Sequence, residues 1–208
     1  MSTKEGSSID WQNPQTLKEF SLVARQACLD AFGKDACMAA TRVGIDTLRH
    51  FGIPAYPLTV QVVIFNEVYG RLLREGGGLT RNIEEVEEWK QKGAWSHGVG
   101  VPGLGEGPGK WPGHLVAIVQ NQWLIDLSIG QANKPEKGII LGDPIICSVT
   151  EEFLGGNDRH TITNGALMLT YLARPKDFSY RQRADWSERW RARSAIRQTI
   201  QKVIEAYY

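Results

Sequence analysis

The chain has 208 residues, 42% of them hydrophobic and 23% charged, with a net charge of +1. That length and balance fit one soluble folded domain with a sizeable core, and they give no bulk electrostatic reason to expect nucleic acid or a membrane surface as partner. No apolar run approaches the roughly 18 residues of a membrane span, and the N-terminal MSTKEGSSIDWQNPQ lacks the apolar core of a secretory signal.

Residues 1–13 read as a polar tail. Asn13-Pro14 is a helix start, with asparagine as the cap and proline in the first turn. Leu17, Phe20, Leu22, Val23, Ala24, Ala27, Cys28, Leu29 and Phe32 carry the helical pattern to residue 32, and Gly33 ends it. Asp35 is then the expected N-cap of a second helix, 36–51, which Gly52 and Pro54 terminate. AYPLTVQVVIF (55–65) is rich in β-branched and aromatic residues and reads as a strand.

Between residues 66 and 112 the pattern is weaker. IEEVEEWKQKG suggests a short acidic helix. Residues 93–113, dense in glycine and proline, read as a long surface loop, and loops of that length often serve binding. GHLVAIV (113–119) and WLIDLS (123–128) form a predicted hairpin around Gln120-Asn121-Gln122. A strand is expected within GIILGDPIICSV and another at ALMLTYLA (166–173). A long helix over 180–207 is expected to dock through Trp186, Trp190, Ile196, Ile200, Val203, Ile204 and Tyr207. The predicted architecture is α+β in a single domain: N-terminal helices on an antiparallel sheet, with the C-terminal helix packed on the core.

The cysteines, at 28, 37 and 147, are few, odd in number and far apart. They suit free thiols in a reducing cytoplasm better than a disulfide framework, and with four scattered histidines no zinc site is expected. A thiol attacks a carbonyl as the thiolate. A helix N-terminus, with its unpaired N–H groups, favours that anion. Cys37 opens a helix. Cys28 lies late in the preceding one, where the dipole opposes a thiolate, and Cys147 lies in an apolar run.

His114 starts one strand of the hairpin and Asp126 lies on the next. A three-residue turn at 120–122 pairs Val119 with Trp123 and puts His114 and Asp126 diagonally on one face, within side-chain reach. The carboxylate then fixes the imidazole tautomer and leaves the other ring nitrogen for the thiol. A two- or four-residue turn would separate them. Asp126 is otherwise unusual, sitting among Leu124, Ile125 and Leu127, although capping the turn near Gly130 would also account for it.

CMAATRVGIDTLRHFGIPAYPLTVQV, followed by GHLVAIVQNQWLIDLS, resembles the nucleophile helix, histidine strand and aspartate strand of the transglutaminase-like superfamily of papain-like cysteine enzymes. The resemblance covers residues 35–130. It implies Cys37 as nucleophile, His114 as general base and Asp126 as orienting acid. The implied activity is hydrolysis of amides or peptides, or acyl transfer, through a thioester and without a cofactor. The implied substrate is a peptide, an amide or an acyl thioester. The fold also uses a second oxyanion donor beside the Cys37 N–H, for which Gln26, Gln61 and Trp95 are candidates. Trp111, Gly113 and His97 are candidates for the substrate cleft. The chain has Asp35 where many relatives have glycine. It reads His114-Leu115-Val116 and Asp126-Leu127-Ser128 where His-Ala-Trp and Asp-Pro-Thr are common.

Two other readings stay open. One is a catalytically silent module of the same fold that binds a partner at the groove. The other is an interaction protein that uses the arginines of its C-terminal helix, at 181, 183, 189, 191, 193 and 197. Such a face on an amphipathic helix is commonly just solvated, so nucleic acid is not expected. Gly98, Gly100 and Gly103 match a dinucleotide-loop spacing, but prolines surround them and a strand follows where a helix is required. His160 is the fallback base should His114 prove remote from Cys37.

Overall fold

The computed structural model describes residues 9–33, 36–76, 83–101, 113–183, 186 and 190–208. Helix α1 (Pro14–Phe32) starts where Asn13 accepts a hydrogen bond from the Gln15 N–H at 2.8 Å and ends at Gly33. Helix α2 (Cys37–His50) begins at Cys37 after Ala36, which offers no side-chain cap. Asp35, the expected cap, lies outside the described residues. Strand β1 (Ala55–Asn66) follows the Gly-Ile-Pro turn. Asn66 ends β1 and at once caps helix α3 (Glu67–Glu75), accepting from the Tyr69 N–H at 3.0 Å. Helix α4 (Ile83–Gln91) is the acidic one.

The loop expected over 93–113 contains a strand, β2 (Ser96–Val99). Strands β3 (His114–Val119) and β4 (Trp123–Asp126) form the hairpin, with Val119 opposite Trp123. Three-residue geometry is met by left-handed Gln120 and Asn121. Strand β5 (Ile145–Ser148), the one-turn helix α5 (Glu151–Leu154), and strands β6 (Arg159–Asn164) and β7 (Leu167–Ala173) follow. The helix expected over 180–207 is shorter than its pattern suggests. Residues Ser179–Gln182 form a 3-10 turn, started by Asp177 accepting from the Ser179 N–H at 2.9 Å, and helix α6 spans Trp190–Glu205.

The strands form one antiparallel sheet in the order β5-β4-β3-β1-β7-β6, with β2 also on β1. The fold is thus α+β. β1 is its spine. At Val60 it pairs with both His114 of β3 and Ala173 of β7, so those strands occupy opposite edges. From Val62 to Phe65 it pairs with both β2 and β7, so β2 lies on the β3 edge. Val99 sits opposite Val62 and His114 opposite Val60. β2 and β3 therefore read as one strand along that edge, with Gly100 and Gly113 meeting beside His114. The outer strands β5 and β6 both line a cavity of about 490 Å³ with Pro14 and Trp123, so the sheet curls its two free edges toward each other.

Alternation along the strands sorts two apolar layers. Ala55, Ala117, Val119 and Ile125 face α1, α2 and α6 through Leu17, Phe20, Val43, Leu48 and Val203. Val60, Val62, Val116, Leu124, Leu169 and Tyr171 build the layer on the other face. Ile196, Val203 and Ile204 of α6 are buried, as an apolar seam requires.

Candidate active site

Asp126 is fully buried, and every side of its carboxylate is occupied. Oδ2 lies 2.7 Å from His114 Nε2 and accepts from the Tyr171 hydroxyl at 3.1 Å. Oδ1 accepts from the Ser128 N–H at 3.0 Å and the Ser128 hydroxyl at 3.4 Å. A buried carboxylate persists only with such partners. Asp126 thus fills both roles that its sequence setting suggested: it caps the turn after β4 and holds the histidine.

His114 is also fully buried. Burial opposes a charged imidazole, but the Asp126 carboxylate, and after it Cys37, outweigh burial and raise its pKa to about 10. Since Nε2 faces Asp126, Nδ1 is the nitrogen left for Cys37. A second group stands at that atom: the side-chain nitrogen of Gln131 lies 2.6 Å from Nδ1. A neutral His114 accepts there from the Gln131 amide, while a protonated one needs the amide oxygen or the sulfur as acceptor.

Cys37 is the exposed member of the group. It is partly accessible, at the first position of α2, against the small cluster of Met38, Leu115 and Tyr180. One turn further on, the buried Thr41 hydroxyl donates to the Leu115 carbonyl at 2.7 Å, which ties the start of α2 to the start of β3. The other two thiols are poor nucleophiles. Burial pushes Cys28 up to about 12 against the pull of Arg25, and burial with the Asp126 charge does the same for Cys147.

The structure brings Cys37, His114 and Asp126 together and engages the side chains or backbone of the candidate oxyanion donors elsewhere. Gln26 is exposed and donates to Asp30 on its own helix at 2.7 Å. Gln61, half-buried on β1, follows Val60, the residue opposite His114, and its amide oxygen accepts from Arg174 at 2.6 Å. The Trp95 backbone is bound to Asn66, six positions along β1 from the residue opposite His114, about 20 Å of strand. His97 pairs with Ile64, about 13 Å along the same edge. Gly113 is buried next to His114, and Trp111 lies outside the described residues. His160, on β6, is separated from β3 by β1 and β7, and it packs edge-on against Phe153.

Gln131, Tyr171, Ser128 and Thr41 join the site without a distinctive sequence signal. Tyr171 and Thr41 sit in ordinary apolar patterns, and only the folded register reveals their hydroxyl partners. Gln131 carried one available signal: it follows the Asp126 turn closely, on the 3-10 turn Ile129–Ala132. Among the described residues no three His, Cys, Asp or Glu side chains converge as metal ligands would. No described helix is long and apolar enough to cross a membrane. No family model, curated protein or solved structure matches the chain.

Proposed function

We propose that this chain is a cysteine-dependent amide or peptide hydrolase or acyltransferase of transglutaminase-like, papain-related architecture, working through a thioester acyl-enzyme. One observation carries the reading. The buried His114–Asp126 pair turns the remaining ring nitrogen toward an accessible cysteine at a helix N-terminus. A structural cysteine has no need of that company.

In the proposed reaction the Cys37 sulfur bonds to the carbonyl carbon of an amide or thioester. The oxyanion forms beside the Cys37 N–H at the uncapped start of α2. Gln131, in place of Gln26, Gln61 and Trp95, is the candidate second donor, because its amide stands at the site. The tetrahedral adduct collapses as the proton on His114 Nδ1 passes to the leaving nitrogen or sulfur. Water or an amine then gives a proton back to Nδ1 and bonds to the thioester carbon, and the Cys37 sulfur leaves. Asp126 keeps the ring oriented and its charge balanced throughout. Free thiols at 28, 37 and 147 suit a reducing cytoplasm.

A second reading draws on the same contact. In a silent binding module the Gln131 amide would be a permanent cap on Nδ1. Incubation with p-nitrophenyl acetate, followed by peptide mass spectrometry, separates the two. The enzyme reading expects one acetyl group on Cys37, formed with release of nitrophenolate and absent from Cys37→Ala and His114→Ala. Acetylation no faster on Cys37 than on a free thiol peptide would favour the silent module.

A further inference from the structure

Beside the cysteine lies a small cavity of about 70 Å³, lined among others by Arg25, Cys28, Ala36, Ser128, Gly130 and Gln131. It touches the candidate site twice, through Ala36, the residue before Cys37, and through Gln131, which stands on His114. A single water needs roughly 10–15 Å³ of such space, so the cavity has room for a small functional group.

Its wall is cationic. Arg25 is half-buried and donates through Nη1 to the Leu127 carbonyl at 2.9 Å. No carboxylate among the described residues forms an ion pair with it. A guanidinium has five N–H donors in a planar fork, and burying it without an anion is costly. Its position is also built. A Cβ placed on Gly130 would lie 2.3 Å from Arg25 Nη2, so the guanidinium lies against that glycine and any larger residue would displace it. The start of α2 adds a second attraction for negative charge, because Ala36 leaves the first N–H groups without a side-chain cap.

We infer that this cavity binds a carboxylate of the substrate close to the scissile carbonyl, with Arg25 as the specificity-determining residue. Resting on the proposed cysteine chemistry, this narrows the substrate to an amide or thioester with an acidic group near the reacting bond. A bidentate guanidinium–carboxylate contact would orient that group, and Gly130 would keep the guanidinium in place.

The test compares two alkylating agents of similar shape, neutral iodoacetamide and anionic iodoacetate, on Cys37 near pH 6 in the full-length protein. Wild type is expected to react with iodoacetate in a saturable manner. The iodoacetate-to-iodoacetamide rate ratio is expected to fall about tenfold or more in Arg25→Gln, the loss of one charge-assisted contact. His114 remains in that variant, so its own charge does not account for the change. Gly130→Ala is expected to lower the ratio as well. Should Arg25→Gln fail to fold, wild type decides: succinate is expected to slow iodoacetamide labelling of Cys37, and succinamide is not. An unchanged ratio in folded variants, or equal effects of succinate and succinamide, would overturn the carboxylate site. Failure of the cysteine reading looks different: iodoacetamide itself would then react with Cys37 no faster than with a free thiol.

Discussion

Gln131 is the residue that most sharpens the chemistry. Its nitrogen lies 2.6 Å from His114 Nδ1, the ring nitrogen that Asp126 leaves open and that the proposed reaction uses. An amide there can donate to an oxyanion or to a neutral imidazole, and by turning over it can accept from an imidazolium. If it serves the oxyanion, its loss harms acyl transfer but not alkylation, which has no tetrahedral intermediate. Gln131→Ala is therefore expected to lower the rate of Cys37 acetylation by p-nitrophenyl acetate about 10²-fold, while iodoacetamide labelling changes by less than about threefold. Stopped-flow nitrophenolate release measures the first and timed mass spectrometry the second. Equal losses in both would make Gln131 a scaffold for the ring rather than an oxyanion donor. Cys37, His114 and Asp126 were legible in the sequence because each sits at a marked place: a helix start, a strand start, an acidic residue in an apolar strand. Gln131 and Tyr171 were not, since an amide in a turn and a tyrosine in a strand have many ordinary uses.

At the scale of elements, the site depends on how β2, β3 and α2 meet. Gly100, just after β2, lies against Gly113 and the start of β3. Gly100 has φ +66, and a Cβ there would lie 2.6 Å from the His114 backbone nitrogen. Both the conformation and the space demand glycine. Gly100→Ala is expected to destabilise the protein by about 1–3 kcal/mol and to slow Cys37 labelling, because relief of the clash must move the start of β3. Urea unfolding and labelling kinetics check this; a neutral substitution would show that His114 tolerates movement of the neck. Elements with strong local signals were readable: α1 from its Asn-Pro start, β1 from its β-branched run, the hairpin from its three-residue turn. Others were not. α3 follows β1 with no break, since Asn66 is both strand end and helix cap. β6 alternates only between exposed and half-buried positions, so it lacks an apolar face. The C-terminal helix is shorter than its apolar pattern suggests, because Trp186 fits the helical seam without belonging to the helix. It instead packs edge-on against Tyr180, with ring centroids 4.8 Å apart, ahead of the helix.

For the whole molecule, the buried ion pair ties stability to pH. His114 has an ordinary value near 6.5 when unfolded and about 10 when folded, so the folded state holds its proton more tightly. Its contribution is complete below pH 6.5 and is lost as pH rises through 10. Between those limits the folded protein is expected to lose on the order of 2 kcal/mol or more, seen as a falling urea midpoint. His114→Asn should flatten that slope, although removal of one partner of a buried pair lowers stability at neutral pH by about 3–5 kcal/mol. A wild-type urea midpoint that stays level over this range would contradict a protonated His114 in the folded protein.

The most direct test of the central claim is the reactivity of the three thiols against pH. Iodoacetamide labelling is followed by peptide mass spectrometry from about pH 5 to 9, for wild type and His114→Ala. Cys28 and Cys147, both pushed up to about 12, are expected to stay unreactive while the protein is folded. Cys37 is expected to label rapidly already near pH 6, and to lose that advantage in the variant. Slow labelling of Cys37 at pH 6 in wild type, or an identical profile in His114→Ala, would contradict a working cysteine–histidine pair.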